Sequence, residues 1–197
     1  MTGKIVGAVV AGVLLGLYVL PVSILEHTDL IIDIGLMLLL FFVGIDIGLN
    51  RSVFTRIRSM GLKILLIPLM IITGSIVGGI VGGSLLGMPF NESGAVGAGL
   101  GWYTLSSILM ANYSNELSTL AFLANVVREM MAFMIIPLVA KRVGFFSSIG
   151  PAGATSMDTA LPVISKATDP ETAIIAFISG AICTFSVPII VPLILNL

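Results

Sequence analysis

The stretch GAVGAGLGWYTLSSILMA (94–111) decides the fold. It is apolar enough to enter a bilayer. It is also rich in glycine and hydroxyls, and falls short of the roughly 20 residues that a straight helix needs to cross. A second stretch of the same kind, GPAGATSMDTALPVIS, occupies 150–165. Around these two lie five stretches long and apolar enough to span as helices, at about 4–25, 30–49, 62–86, 117–140 and 171–196. The fold class that follows is an all-α polytopic membrane protein. About five transmembrane helices carry two short segments that are either re-entrant or broken into half-helices, as in an inverted-repeat transporter core.

Composition excludes the other classes. Of 197 residues, 57% are hydrophobic and 10% charged, against about 25% charged in an average soluble domain. A chain this small cannot hide that much apolar surface from water. A net charge of −1 offers nothing to a nucleic acid. The single cysteine, Cys183, cannot form an internal disulfide. The N-terminus, with Lys4 before apolar Ile5–Val22, has the charge pattern of a signal peptide. It lacks a small-residue cleavage site, and reads as a retained first helix.

Charge placement arbitrates between the two geometries. Eight of the nine basic residues fall in four places: Lys4; Arg51, Arg56, Arg58 and Lys63; Lys141 and Arg142; Lys166. If both short segments enter and leave on one side, all eight lie at the cytoplasmic face, as the positive-inside rule requires. Connections at 26–29, 87–93 and 112–116, with Glu26, Asp29, Glu92 and Glu116, then face outward without a single base. The expectation is two re-entrant segments in a cell-membrane protein, N-terminus cytoplasmic and C-terminus outside; the broken-crossing geometry is the alternative.

Local signals add boundaries. Thr168-Asp169-Pro170-Glu171 is a helix start: cap residues, a proline whose missing N–H costs nothing there, and an acid in the first turn. Gly74, Gly78, Gly79, Gly82 and Gly83 form a small-residue surface for close helix packing. Pro68, Pro137, Pro188 and Pro192 are expected to kink their helices.

Ionisable groups deep in a span cost at least ~2.5–3.5 kcal/mol each and point to function. Arg128 and Glu129 sit at the middle of 117–140, with Asn125 one turn before them, and Asp158 lies in the second short segment. Asp33 and Asp46 are nearer helix ends and read as interfacial charges. Arg128 and Glu129, as sequence neighbours, diverge by about 100° on a helix and cannot pair well with each other. The deep charges sum to −1, a surplus that a bound cation or a proton can meet. A purely structural reading pairs Arg128 with Asp158 and keeps Glu129 protonated. Asp158 also fits a capping box with Thr155. Even so, a helix N-terminus at membrane depth suits the carboxylate of an amino acid. Gly101, Thr104, Ser106 and Ser107 offer similar material in the first short segment. His27 has no companions, so no metal site is expected. No nucleotide-binding, zinc-protease, hydrolase or redox motif occurs, and no cofactor or enzymatic activity is expected.

GLGWYTLSS (99–107), LANVVREMMAFMIIPLVAKR (123–142), PAGATSMDTALPVI (151–164) and FFVGIDIG (41–48) resemble the core motifs of the lysine exporter family of LysO type. The resemblance covers essentially the whole chain, read as one transporter domain over 1–197. It implies export of L-lysine and analogues such as thialysine, in exchange for protons. Its intramembrane acids map to Glu129 and Asp158, with Arg128, Asn125, Thr155, Ser156, Thr159, Gly101, Thr104 and Ser106 around the substrate. Single-chain members begin with a further N-terminal membrane segment, so this chain is similar to the larger partner of a split version. That implies a small hydrophobic partner subunit, or a homodimer. The competing readings are a sodium–proton or organic-anion transporter, a non-transporting membrane subunit, and an aspartyl protease using Asp46 and Asp158, whose sequence context is wrong for that chemistry.

Overall fold

A computed structural model describes residues 2–19, isolated helical positions between 30 and 45, and 61–197. His27, Asp33, Asp46, Glu26, Asp29 and the Arg51, Arg56 and Arg58 cluster lie outside the described residues, as does most of the expected span 30–49. Among the described residues all regular structure is helical. The helices are α1 (Thr2–Tyr18), α2 (Leu66–Leu85), α3 (Phe90–Ala98), α4 (Tyr103–Ala111), α5 (Asn115–Arg142), α6 (Leu161–Ala167) and α7 (Pro170–Leu195). Three 3₁₀ turns, Gly61–Leu65, Phe146–Ile149 and Gly153–Met157, complete the set. Among the described residues three helical runs are long and apolar enough to cross a membrane: Gly61–Leu85, Asn115–Arg142 and Pro170–Leu195.

Helix ends follow local chemistry. Ser114 caps α5 by accepting from the Leu117 N–H at 3.3 Å. Glu116 in the first turn and Lys141 and Arg142 in the last complement its dipole. Asp169 caps α7, its Oδ1 accepting from Thr172 N–H at 2.7 Å. Pro170 at the first helical position and Glu171 follow, as the sequence predicts. Pro68 falls in the first turn of α2, where a missing N–H is best tolerated.

Contacts fix which ends lie together. Asn91 Nδ2, at the start of α3, donates to Leu195 O at the end of α7. Phe146 and Ser147, just after α5, share a cavity wall with Leu66, Ile67 and Met70 at the start of α2. One end of the bundle therefore holds the α2–α3 and α4–α5 connections and the C-terminus. The other holds the starts of α2 and α7 and the end of α5. Residues 90–111 enter and leave at the first end, and residues 146–167 at the second. Both short segments are re-entrant hairpins inserted from opposite ends. The described bases Lys63, Lys141, Arg142 and Lys166 all cluster at the second end.

Among its glycines, α2 packs against the first hairpin through Gly79 and Gly83. A Cβ on Gly79 would lie 2.7 Å from Ser93 O and 2.9 Å from Gly97 Cα, and one on Gly83 would collide with the Ser93 side chain. Gly74, Gly78 and Gly82 face open space. The single glycine surface expected from sequence is two faces, because four-residue spacing separates 74/78/82 from 79/83 by about 100°.

Candidate functional site

The two hairpin tips meet halfway along α5. In the first, the helix breaks because Leu100 and Gly101 take left-handed backbone conformations, φ +53° and +97°, which cannot propagate a right-handed helix. In the second, Gly153 does the same at φ +63°. The Ala154 N–H donates to Leu100 O at 2.9 Å, joining the tips. A Cβ on Gly153 would strike Leu100 O and sit 2.9 Å from Arg128 Nη2, so only glycine fits this crossing.

α5 holds the crossing from the side. Asn125 is almost fully buried. Its Oδ1 accepts the Gly101 N–H at 2.8 Å, and its Nδ2 donates to Ala121 O at 2.9 Å and, more distantly, to Val96 O at 3.4 Å. Arg128 Nη1 donates to Ser75 Oγ at 2.6 Å and Nε to Pro151 O at 3.3 Å. Ser75 in turn donates to Gly97 O at 2.6 Å. Arg128 thus reaches both hairpins and does not bond Asp158, which overturns the reading that pairs them.

Glu129, turned away from Arg128, faces a cavity of about 250 Å³ lined by Gly101, Trp102, Tyr103, Thr104, Ala154, Thr155, Met157, Asp158, Thr159 and Thr184. The Thr159 hydroxyl donates to Glu129 Oε1. The Thr159 N–H donates to Asp158 Oδ1 at 2.6 Å. One threonine therefore ties the two carboxylates together. The capping-box expectation fails: Thr155 donates to Ala152 O at 3.0 Å, and α6 begins after Ala160 without a side-chain cap. On the opposite wall Tyr103 and Thr104, in the first turn of α4, line the same cavity, and the side chain of Trp102 at its N-cap makes no capping hydrogen bond. The described residues lining this cavity include two acids and no base.

Arg128 and Asn125 border a separate cavity of about 470 Å³, between α2, α5 and the first hairpin. Of the residues singled out from sequence, Glu129, Asp158, Thr155, Thr159, Gly101 and Thr104 thus share one cavity and Arg128 and Asn125 the other. Ser106 and Ser156 line neither. Both are fully buried and serve the backbone, Ser106 donating to Trp102 O at 2.7 Å and Ser156 to Ala176 O at 2.9 Å. Sequence reasoning missed Ser75, Trp102, Tyr103, Met157 and Thr184. A hydroxyl inside an apolar span was the available signal for Ser75 and Thr184.

The chain is 32% identical over 189 residues to "Lysine exporter LysO" of Escherichia coli (strain K12), an alignment covering 95% of this chain and 62% of that protein. It is 29% identical over 156 residues to a Haemophilus influenzae protein described as "Putative lysine exporter", covering 79% of each. The chain thus spans about 62% of the length of the E. coli relative. No solved structure matches it. The family model described as lysine exporter LysO matches residues 6–195, which include both hairpins, the α5 turn that holds them and the paired carboxylates. The chain is therefore a member of the lysine exporter LysO family.

Proposed function

We propose that this chain is the transporting core of an exporter of L-lysine, and of close analogues such as thialysine, that exchanges substrate for protons across a prokaryotic cell membrane. The observation that carries this reading is the cavity that Glu129 and Asp158 share with the first turn of α4. Two carboxylates at membrane depth are costly unless a cation or a proton compensates them. Lysine brings two ammonium groups for that pair. Its α-carboxylate suits the helix N-terminus, where backbone N–H groups and the Thr104 hydroxyl supply donors. A proton and lysine then compete for the same acids: protonation from outside releases substrate, and deprotonation inside restores the cation site. The cluster of Lys63, Lys141, Arg142 and Lys166 at one end supports placing that end in the cytoplasm. We read residues 1–197 as a single transporter domain; the further length of the E. coli relative would correspond to a small hydrophobic partner subunit or be replaced by a second copy.

The test is lysine flux in proteoliposomes holding the chain with and without such a partner, under an imposed pH gradient. Glu129→Gln and Asp158→Asn should each abolish gradient-driven flux. Either variant exporting lysine at the normal rate would refute the assignment. Flux that follows a sodium gradient instead would replace the proton by sodium.

A further inference from the structure

The cavity beside Arg128 is not explained by the carboxylate pair. Arg128 offers five N–H donors, and its side-chain bonds engage Nη1 with Ser75 and Nε with Pro151 O, both neutral acceptors. Among the described residues no carboxylate meets the guanidinium. The space in front of it is about 470 Å³, with Ser75 and Asn125 as polar neighbours and Met70, Ile71, Val96 and Ala124 as apolar walls. A guanidinium stays charged at any pH a cell meets. A charge held at membrane depth is costly without a counter-charge. Among the described residues Glu129 and Asp158 do not supply one, because they open onto the other cavity.

We propose that this second cavity is an anion site, in which Arg128, held in place by Ser75, binds a small monovalent anion, either a halide or a carboxylate group. The planar fork of arginine suits such ligands better than a point charge would. The site is joined to both hairpins. Arg128 holds Pro151 O of the second, and Ser75 passes its own hydrogen to Gly97 O of the first. An anion drawing on Nη1 competes with its bond to Ser75, which holds Gly97 of the first hairpin, so its occupancy is coupled to how tightly that hairpin is held.

The experiment is thermal unfolding of the purified full chain in detergent, titrated separately with sodium chloride and sodium acetate, with a bulky buffer anion holding ionic strength constant. A saturable rise in melting temperature is expected with at least one of the two anions. In Arg128→Gln the half-saturating concentration should rise about tenfold or more, the loss of one charge-assisted contact. Arg128→Lys should fall between, keeping charge without the fork. Ser75→Ala, which leaves the arginine in place, should weaken the response less. Lysine compared with its decarboxylated analogue cadaverine separates the sources. Extra stabilisation by lysine that is lost in Arg128→Gln assigns the site to a substrate carboxylate, in place of the α4 N-terminus; extra stabilisation that survives Arg128→Gln, or none, assigns it to an inorganic anion. The double variant Glu129→Gln/Asp158→Asn should keep the chloride or acetate response, so failure of the lysine reading does not remove this one. No response of the wild-type chain to either anion overturns the proposal. So does an unchanged response in Arg128→Gln.

Discussion

Replacing Thr159 by valine should weaken lysine binding about tenfold while leaving the fold intact. The substitution keeps the β-branched shape and the backbone N–H that Asp158 Oδ1 accepts at 2.6 Å. It removes the hydroxyl that donates to Glu129 Oε1. A hydrogen bond to a charged acceptor contributes about 1.5–3 kcal/mol, and one to a neutral acceptor about 0.5–1.5 kcal/mol. The difference, about 1–1.5 kcal/mol, is what the hydroxyl adds to the charged, lysine-binding form of Glu129 over the protonated one. That corresponds to a factor of about 5–13 in affinity. The chain contains one tryptophan, and Trp102 lines the same cavity, so its fluorescence reports binding without a label. Thr159→Ser should restore most of the affinity, since only the hydroxyl is at issue. A valine variant that binds lysine as the wild type does, with an unchanged pH profile, would refute the role of Thr159 in holding the charged form.

Three further outcomes follow from the packing and charge layout. Gly79→Ala places a methyl 2.7 Å from Ser93 O and should destabilise the chain by about 1–3 kcal/mol through overpacking. Gly78→Ala, whose Cβ meets nothing within 4 Å, should be neutral or slightly stabilising; equal melting temperatures would contradict the two-faced α2. Exchanging the neighbours, as Arg128→Glu with Glu129→Arg, keeps composition and hydropathy but puts each charge in the wrong cavity. Lysine binding by Trp102 fluorescence should be lost, and binding retained within twofold would mean that the facing of these side chains does not matter. Cysteines introduced at Glu92 and Glu116 should react with a membrane-impermeant maleimide from one side, and those at Lys141 and Lys166 from the other, Cys183 staying silent because it is buried. Labelling of all four from one side would break the re-entrant topology.

How legible this was in the sequence depended on the kind of signal. Three of the five expected spans were readable because lipid imposes a length and a polarity: 62–86, 117–140 and 171–196 lie within a few residues of the helical runs Gly61–Leu85, Asn115–Arg142 and Pro170–Leu195. The re-entrant geometry was readable from where lysine and arginine fall, because charge is expensive to move across a bilayer. Glu129 and Asp158 were readable as a pair by burial cost, and they do share a cavity. What was illegible was facing. Thr155 and Asp158 have capping-box spacing, but a 3₁₀ turn rather than an α-helix joins them, so the hydrogen bonds go elsewhere. Ser75 went unread because its two long-range partners, Arg128 and Gly97, are distant in sequence.

Glycine and charge carry different meanings along the chain, and α5 shows why. Its apolar surface has no single polar face, yet three polar residues within five positions serve different neighbours. Arg128 and Glu129 diverge by about 100° and open onto different cavities. Asn125 lies between them, about 60° from Arg128 and about 40° from Glu129, and reaches the backbone of the first hairpin while Arg128 reaches that of the second. The wall between the two cavities is then the thickness of two hairpin tips, joined by one bond from Ala154 to Leu100. Tips this thin exist only because Gly101 and Gly153 accept left-handed backbone and Gly180 leaves room for Ser156 Oγ, 2.7 Å from where its Cβ would be. Glycine at the crossing shapes the cavities, whereas Gly79 and Gly83 on α2 set a helix-to-helix distance. Nothing in the residue type distinguishes these roles; the residue opposite each glycine does.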